Sequence, residues 1–277
     1  MHFLRPFILF LFFCISHYCC AQFQDTTYLK YSVKKDIIGK VDFFTTDNLG
    51  QVYLIKGDQL FKYNKFGSLL FTYSNKVLGQ ITIIDASNPL RLLLYYRDFG
   101  QIEFLDDALS LIGSAINLEE KLMGQSTLAC ASTNDEMWLY DPLDFRLVRI
   151  NQKLELSYES LNINQISGAN ILPNFLIEYN NWVYLNNPTT GVLVFDVYGT
   201  YSKTIPIKGL HSFKLEDDLL FYYKDKKLIA YDLNRFSETE IVLPKLSLDA
   251  KNIRIERAEK LLAVLKENKL ELFLIED

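Results

Sequence analysis

The chain has 277 residues, of which 49% are apolar and 23% charged, with 12 Gly, 7 Pro and a formal net charge of −5. These proportions are typical of a globular protein and exclude disordered and collagen-like chains. Acidic and basic residues are interspersed, which argues against nucleic acid as a partner, because phosphate neutralisation requires a basic surface. Aromatic residues make up 14% of the chain and favour β-structure over helix.

The first residues predict a secretory signal peptide over positions 1–21. Arg5 precedes an apolar segment of about ten residues, and small residues follow before Gln22. This order is typical of export signals, and the segment is shorter than the roughly 20 residues that span a bilayer. We therefore predict an exported protein, periplasmic, surface-associated or secreted, without a transmembrane segment after cleavage. The alternative is a lipoprotein that carries its lipid on Cys19 or Cys20.

Cleavage before Gln22 would leave Cys130 as the one cysteine of the mature chain. No disulfide within the mature chain is then predicted. Cys130 lies in an apolar run of small residues, residues 128–131, without a neighbouring histidine. We interpret it as a buried packing residue and not as a nucleophile.

The mature chain begins with short apolar runs separated by turn residues. Strands are predicted over Tyr28–Ser32 and Gly39–Thr46, with a turn near Lys35-Asp36 between them. Three further runs follow, at residues 51–55, 60–63 and 69–73. Strands of this length joined by turns of two to four residues predict an antiparallel meander.

This arrangement recurs along the chain, and each copy contains an apolar run closed by a polar residue. The closing pairs are Tyr63-Asn64, Leu105-Asp106, Ile150-Asn151, Phe195-Asp196, Tyr231-Asp232 and Ile275-Glu276. Their spacings of 42, 45, 45, 36 and 44 average near 42 residues. A period of this length with about four strands predicts a β-propeller blade, and six copies predict six blades. A two-sheet sandwich is the weaker alternative.

The two ends of the chain are predicted to close the ring. Asp277 follows the third strand of the sixth unit, and Tyr28–Ser32 resembles the fourth strand of the first unit, Leu70–Ser74. We therefore predict that residues 27–33 supply the outer strand of the last blade, which removes an open sheet edge. The predicted fold is an all-β, six-bladed β-propeller formed by residues 22–277 as a single domain.

Residues 47–53, DNLGQVY, and the turn YNKFG at residues 63–67 resemble the blade pattern of NHL-type and related six-bladed propellers. The resemblance covers the mature chain as architecture. It implies a binding or scaffold role more than a particular chemistry.

No motif predicts catalytic, cofactor-binding or metal-binding residues, and no cofactor is predicted. His211 is the one histidine left after signal removal, and a single His with a single Cys cannot form a zinc site. The acidic clusters Asp106-Asp107 and 216–218 are interpreted as turn residues. Trp138 and Trp182 are predicted to occupy equivalent positions in units three and four and to pack between blades.

Ligand contacts in a propeller are expected at one end of the central channel. The longest irregular connection, residues 160–173, offers polar side chains for such contacts. The candidates are Asn162, Asn164, Gln165 and Asn170.

The sequence favours a non-catalytic, exported propeller that binds a protein or peptide partner in the cell envelope. One alternative is a metal-dependent hydrolase or lactonase-like enzyme with its site at the channel mouth. Another is a carbohydrate-binding propeller that uses Trp138 or Trp182.

Overall fold

A computed structural model describes residues 25–121, 123–243 and 249–276. The predicted signal peptide, residues 1–21, lies outside the described residues. The described part forms six sheets arranged as the blades of a β-propeller, which confirms the predicted all-β, six-bladed fold.

Two strands precede the first blade and belong to the last two blades. They are β1 (Asp25–Tyr28) and β2 (Tyr31–Ile38). Blade one consists of β3 (Phe43–Thr46), β4 (Val52–Lys56), β5 (Gln59–Tyr63) and β6 (Leu69–Ser74). Blade two consists of β7 (Ile83–Asp85), β8 (Leu92–Tyr96), β9 (Gln101–Leu105) and β10 (Ile116–Asn117). Blade three consists of β11 (Leu128–Ala131), β12 (Met137–Asp141), β13 (Arg146–Ile150) and β14 (Leu156–Glu159).

The remaining three blades repeat this antiparallel order. Blade four consists of β15 (Phe175–Tyr179), β16 (Trp182–Asn187), β17 (Gly191–Asp196) and β18 (Tyr201–Ile205). Blade five consists of β19 (Lys214–Glu216), β20 (Leu219–Lys224), β21 (Lys227–Asp232) and β22 (Ser237–Val242). Blade six contains β23 (Asn252–Glu256), β24 (Leu261–Leu265) and β25 (Lys269–Ile275).

Helices are few and short in the described residues. The connection between blades three and four contains α1 (Ile163–Ser167), and blade two carries 3-10 turns at Arg97–Phe99 and Leu118–Lys121. Within the described ranges, none of these helices has the length and apolar character that crossing a membrane requires.

The hydrophobic core lies between neighbouring blades. In β8, Leu92 and Leu94 pack toward blade one, whereas Leu93 and Tyr95 pack toward blade three. All five residues of this strand are buried. Consecutive apolar residues are therefore used on both faces, as expected for sheets that are covered on both sides.

The residues that close each third strand explain the repeat seen in the sequence. Asn64, Asp106, Asn151 and Asp196 each accept hydrogen bonds from the backbone N–H groups two and four residues later. Asp232 accepts from the N–H groups of residues 234 and 235. Short Asn and Asp side chains satisfy the backbone of the following turn in this way, so the same residue type recurs in each of these blades.

The N-terminal strand closes the ring, with a shift from the predicted position. β2 pairs antiparallel with β25, from Tyr31 opposite Ile275 to Ile38 opposite Lys269, so residues 31–38 supply the outer strand of blade six. The predicted turn near Lys35-Asp36 lies inside β2, which passes through it with a β-bulge. β1, which contains Tyr28, instead adds to blade five in parallel with β22.

Candidate functional site

The first strand of each blade lines a central channel, which is the candidate functional site. The channel contains a cavity of about 760 Å³ bordered by side chains from β3, β7, β11, β15, β19 and β23. Cavities of this volume accommodate small molecules or short peptide segments.

The channel wall changes character along its axis, because residues further along the parallel-running inner strands border it at greater depth. The layer where these strands begin is mostly apolar. It consists of Phe43, Ile83, Leu128, Phe175, Ser212 and Asn252. Thr82, Asn174 and His211 precede this layer in their blades and also line the cavity.

Two residues further along each strand, the wall becomes charged. This middle layer contains Thr45, Asp85, Ile177, Lys214 and Arg254. In blade three the corresponding residue is Cys130, which is fully buried in the core between blades three and four. Burial raises the pKa of its thiol, which agrees with a packing role.

The layer at the far end of the inner strands is acidic. It contains Ser87, Tyr179, Glu216 and Glu256, two residues beyond the middle layer, and Asp217 lies beside it. The channel is therefore apolar where the inner strands begin, mixed in charge at mid-depth and acidic where they end.

Arg254 is the exceptional group at mid-depth. Its side chain is only 6% exposed, and its Nε has no hydrogen-bond acceptor. No hydrogen bond or ion pair joins its guanidinium to another described residue. Burial lowers the pKa of Arg254, while the charges of Glu256 and Asp85 oppose that effect. An arginine retains its charge in proteins, so the channel contains a buried, unpaired cation.

Lys214 lies in the neighbouring blade at the same depth. Its Nζ is 2.9 Å from Oε1 of Glu256, and the hydroxyl of Thr46 donates to the same oxygen. Burial raises the pKa of Glu256, and the charge of Lys214 partly offsets the shift. These contacts connect blades five, six and one.

The other carboxylates of the channel also make contacts between blades. Asp85 accepts hydrogen bonds from the backbone N–H groups of Ser87, at 2.9 Å, and of Ala131 in blade three, at 2.8 Å. Burial raises the pKa of Asp85. Glu216 accepts hydrogen bonds from the N–H groups of Arg257 and Ala258 in blade six, both at 3.0 Å.

The loop predicted to contact a ligand lies outside the channel wall. Asn162 accepts a hydrogen bond from the N–H of Gln165 at 3.1 Å and so caps α1. Asn164 accepts from the N–H of Ile171 and donates to Oδ1 of Asn170. None of Asn162, Asn164, Gln165 and Asn170 lines the cavity. A ligand-contact role for this loop stays a prediction.

The two tryptophans differ, and the prediction that they are equivalent is wrong. Trp138 pairs with Arg149 and is fully buried, whereas Trp182 pairs with Asp196 at the start of β16 and is 40% exposed. The indole N–H of Trp138 donates to Glu178 at 2.8 Å, which connects blades three and four.

The acidic residues at Asp106-Asp107 make one local contact and one contact with blade one. Asp106 caps a turn, and Asp107 accepts from Nζ of the buried Lys62. Within the described ranges, no three His, Cys, Asp or Glu side chains are grouped closely enough to hold a metal ion.

Sequence reasoning missed the charged layer of the channel. The available signal is a charged residue placed between apolar residues of a first strand, as in Ile253-Arg254-Ile255. Such a strand is buried on both sides, so its charged side chain must face a cavity or a partner.

Comparisons with solved structures agree with the fold. The Neurospora crassa Pan2 WD40 domain matches with a TM-score of 0.63 and 8% identity, over 92% of this chain and 98% of that one. A streptogramin B lyase matches with a TM-score of 0.58 and 11% identity, over 90% of this chain and 98% of that one. A chain of the mitotic checkpoint complex matches with a TM-score of 0.63 and 8% identity, over 90% of this chain and 93% of that one.

Sequence identities as low as these support the propeller fold and nothing more specific. No protein-family model matches the sequence, and a search of curated protein sequences finds no match.

Proposed function

We propose that this chain is an exported, non-catalytic binding propeller that receives part of a protein or peptide partner of the cell envelope in its central channel. The observation that carries the proposal is the cavity of about 760 Å³ with the unpaired Arg254 at mid-depth. A buried cation without a partner is costly unless an occupant of the cavity compensates it.

The state of the carboxylates in the channel supports binding over catalysis. Asp85 and Glu216 accept two backbone N–H groups each, and Glu256 is held by Lys214 and Thr46. A general base must be available to a substrate proton, whereas these groups join blades. Similar structures include a chain of the mitotic checkpoint complex, a protein assembly.

The proposal can be tested by blocking the channel. Ile177→Trp places a large ring in the cavity, and Thr72→Trp adds the same ring to the exposed outer strand β6 as a matched control. Wild type and Thr72→Trp should retain the same stoichiometric partner from envelope extracts, and Ile177→Trp should lose it. Equal capture by all three proteins would contradict the channel as the binding site.

Export is a separate part of the proposal and rests on residues 1–21 of the sequence. Fractionation of the source cells should place the protein outside the cytoplasm, with Gln22 as its first residue by N-terminal sequencing. A cytoplasmic protein that begins at Met1 would contradict export. A lipid on Cys19 or Cys20 would establish the lipoprotein alternative.

An enzyme with its site in the channel is the second candidate. It is favoured by the carboxyl of Glu256, whose pKa is raised, in a cavity that His211 also lines. The structural similarity to a streptogramin B lyase adds to this candidate. Turnover of an ester, lactone or cyclic depsipeptide panel that disappears in Glu256→Gln, together with bound metal by elemental analysis, would replace the binding proposal with this one.

A further inference from the structure

We propose that Arg254 and Lys214 form a carboxylate-binding site at mid-depth of the channel, for a ligand whose apolar body lies against Phe43, Ile83 and Phe175. The inference rests on the proposed function, because it requires that the channel receives a ligand. It adds the chemical class of that ligand and the side chains that recognise it.

The balance of donors and acceptors at mid-depth carries the inference. A guanidinium has five N–H donors and an ammonium has three. Arg254 makes no hydrogen bond with a described residue, and Lys214 has a single carboxylate partner, Glu256. The two cations lie at the same depth on neighbouring strands, β19 and β23. The guanidinium of an arginine can donate to both oxygens of a carboxylate. A ligand carboxylate would therefore accept hydrogen bonds from the donors of Arg254, which no described residue accepts.

The acidic groups near Arg254 do not accept hydrogen bonds from its guanidinium. Asp85 on β7 and Glu256 on β23 influence its charge, but neither forms an ion pair with it. The oxygens of Asp85 accept backbone N–H groups, and Oε1 of Glu256 binds Lys214 and Thr46. The acids therefore reduce the electrostatic cost of the cation and leave its donors available.

A trapped water molecule could accept only some of the hydrogen bonds that Arg254 can donate. A second cavity of about 10 Å³ lies between blades five and six, beside Asn252, Lys214 and Arg254. That volume holds at most about one water molecule. One water accepts from one or two donors, and the donors of Arg254 that face the main cavity remain available to a ligand there.

The charge gradient along the channel sets the direction of the ligand. Glu216, Asp217 and Glu256 lie where the inner strands end and repel an anion there. The opposite end combines the apolar first layer with Ser212, Asn252, Thr82, Asn174 and His211, and none of these lining residues is acidic. A ligand thus enters where the inner strands begin, with its carboxylate leading and its apolar part behind.

Two kinds of molecule supply this chemistry: the free C-terminus of an apolar peptide and a small aryl carboxylic acid. Titration calorimetry with the mature protein separates them through two probe pairs. The first pair is acetyl-Ala-Leu-Phe with a free carboxylate and its C-terminal amide. The second pair is 3-phenylpropionate and 3-phenylpropionamide.

We expect the carboxylate of at least one pair to bind at least about tenfold more tightly than its amide, as for a charge-assisted bidentate contact. The pair that discriminates identifies the source of the carboxylate. Equal affinity of acid and amide in both pairs, or no binding of either acid, overturns the inference.

Substitutions at Arg254 locate the contact. Arg254→Met removes the charge while keeping a flexible side chain. It should weaken binding of the carboxylate probe at least about tenfold and leave the affinity for the amide probe unchanged. Arg254→Lys keeps a cation and should retain part of the preference, which guards against a Met variant that folds poorly. Arg235→Met, at an exposed residue of the turn before β22, is the matched control and should bind as wild type.

Failure of this inference is distinguishable from failure of the proposed function. If Arg254→Met captures the partner and binds the acids as wild type does, while Ile177→Trp loses the partner, the channel binds a ligand without using this carboxylate site. If Ile177→Trp also retains the partner, both proposals fail.

Discussion

Carboxylates connect the blades at the level of single residues. Asp85 contacts the backbone of blade three, Glu178 accepts from Trp138 of blade three, and Glu216 accepts from the backbone of blade six. Glu256 contacts blades five and one. Charge-assisted hydrogen bonds of this kind are stronger than neutral ones, and they add directional contacts to the apolar packing between blades.

Glu178 provides the first prediction. Its carboxylate accepts from the indole of Trp138, the hydroxyl of Ser132 and the N–H of Thr133. Glu178→Ala leaves these donors unpaired in a buried position and should lower the free energy of unfolding by about 2 kcal/mol. Glu178→Gln retains one acceptor and should lower the free energy of unfolding by less.

Urea unfolding monitored by tryptophan fluorescence measures the stability of both variants, with Glu120→Ala at an exposed position as the control. A Glu178→Ala loss no larger than that of Glu120→Ala would contradict the role.

The buried carboxyl of Asp85 predicts a pH dependence of stability. Its pKa is raised in the folded protein, mainly by burial, above the value of about 4 expected in the unfolded chain. The folded state therefore binds more protons between these two values, and the contribution of Asp85 to the free energy of unfolding falls as pH rises. The slope for one proton is at most about 1.4 kcal/mol per pH unit.

Asp85→Asn isolates this contribution, because the difference in free energy of unfolding between wild type and variant removes the effect of other groups. We expect that difference, wild type minus variant, to decrease from pH 4 upward and to level off above the folded-state pKa. Urea unfolding at several pH values checks it. A difference that is constant or increases with pH would show that the pKa of the Asp85 carboxyl is not raised in the folded protein.

At the level of strands and turns, features that depend on neighbouring residues were predicted better than contacts between residues far apart in the sequence. The residues Asn64 and Asp196 marked strand ends correctly, because their hydrogen bonds reach only four residues along the chain. The contact between Glu178 and Trp138 joins residues 40 apart. The pattern Ile253-Arg254-Ile255 marks Arg254 as a charged residue in a buried strand, but whether its side chain faces the channel depends on how the distant blades assemble. The predicted turn at Lys35-Asp36 was wrong because pairing with β25 overrides local turn preference.

Two glycines where second and third strands connect differ in their surroundings: Gly57 lies in the turn of blade one, and Gly191 is the first residue of β17. Gly57 in blade one has φ +60° and no heavy atom within 4 Å of an added Cβ. Gly191 in blade four has φ +121°, and an added Cβ would lie 2.2 Å from the carbonyl oxygen of Ile205. Gly57→Ala should cost about 1 kcal/mol of stability through backbone strain alone. Gly191→Ala should cost more than about 3 kcal/mol, because strain is joined by collision with backbone. Thermal unfolding of the two variants compares them, and equal losses would contradict the close packing at Ile205.

For the whole molecule, closure of the ring depends on contacts between distant parts of the chain. Lys269 in β25 forms an ion pair with Asp36 in β2 at 2.8 Å, across 233 residues of sequence. Ile37 is buried in the cluster between blades six and one, together with Leu270 and Leu272. β2 thus contributes both a strand ladder and apolar contacts, whereas β1 adds a short parallel strand to the outside of blade five.

Two truncations separate these contributions. A protein that starts at residue 30 lacks β1 and should lose about 1 kcal/mol, or roughly 3 °C in melting temperature. A protein that starts at residue 39 lacks β2 as well, exposes the edge of β25 and uncovers the cluster that contains Leu270. It should lose its cooperative transition or associate through the open edge. Scanning calorimetry and size-exclusion chromatography distinguish these outcomes. Equal melting temperatures for the two truncations, with both proteins monomeric, would show that β2 does not close the ring.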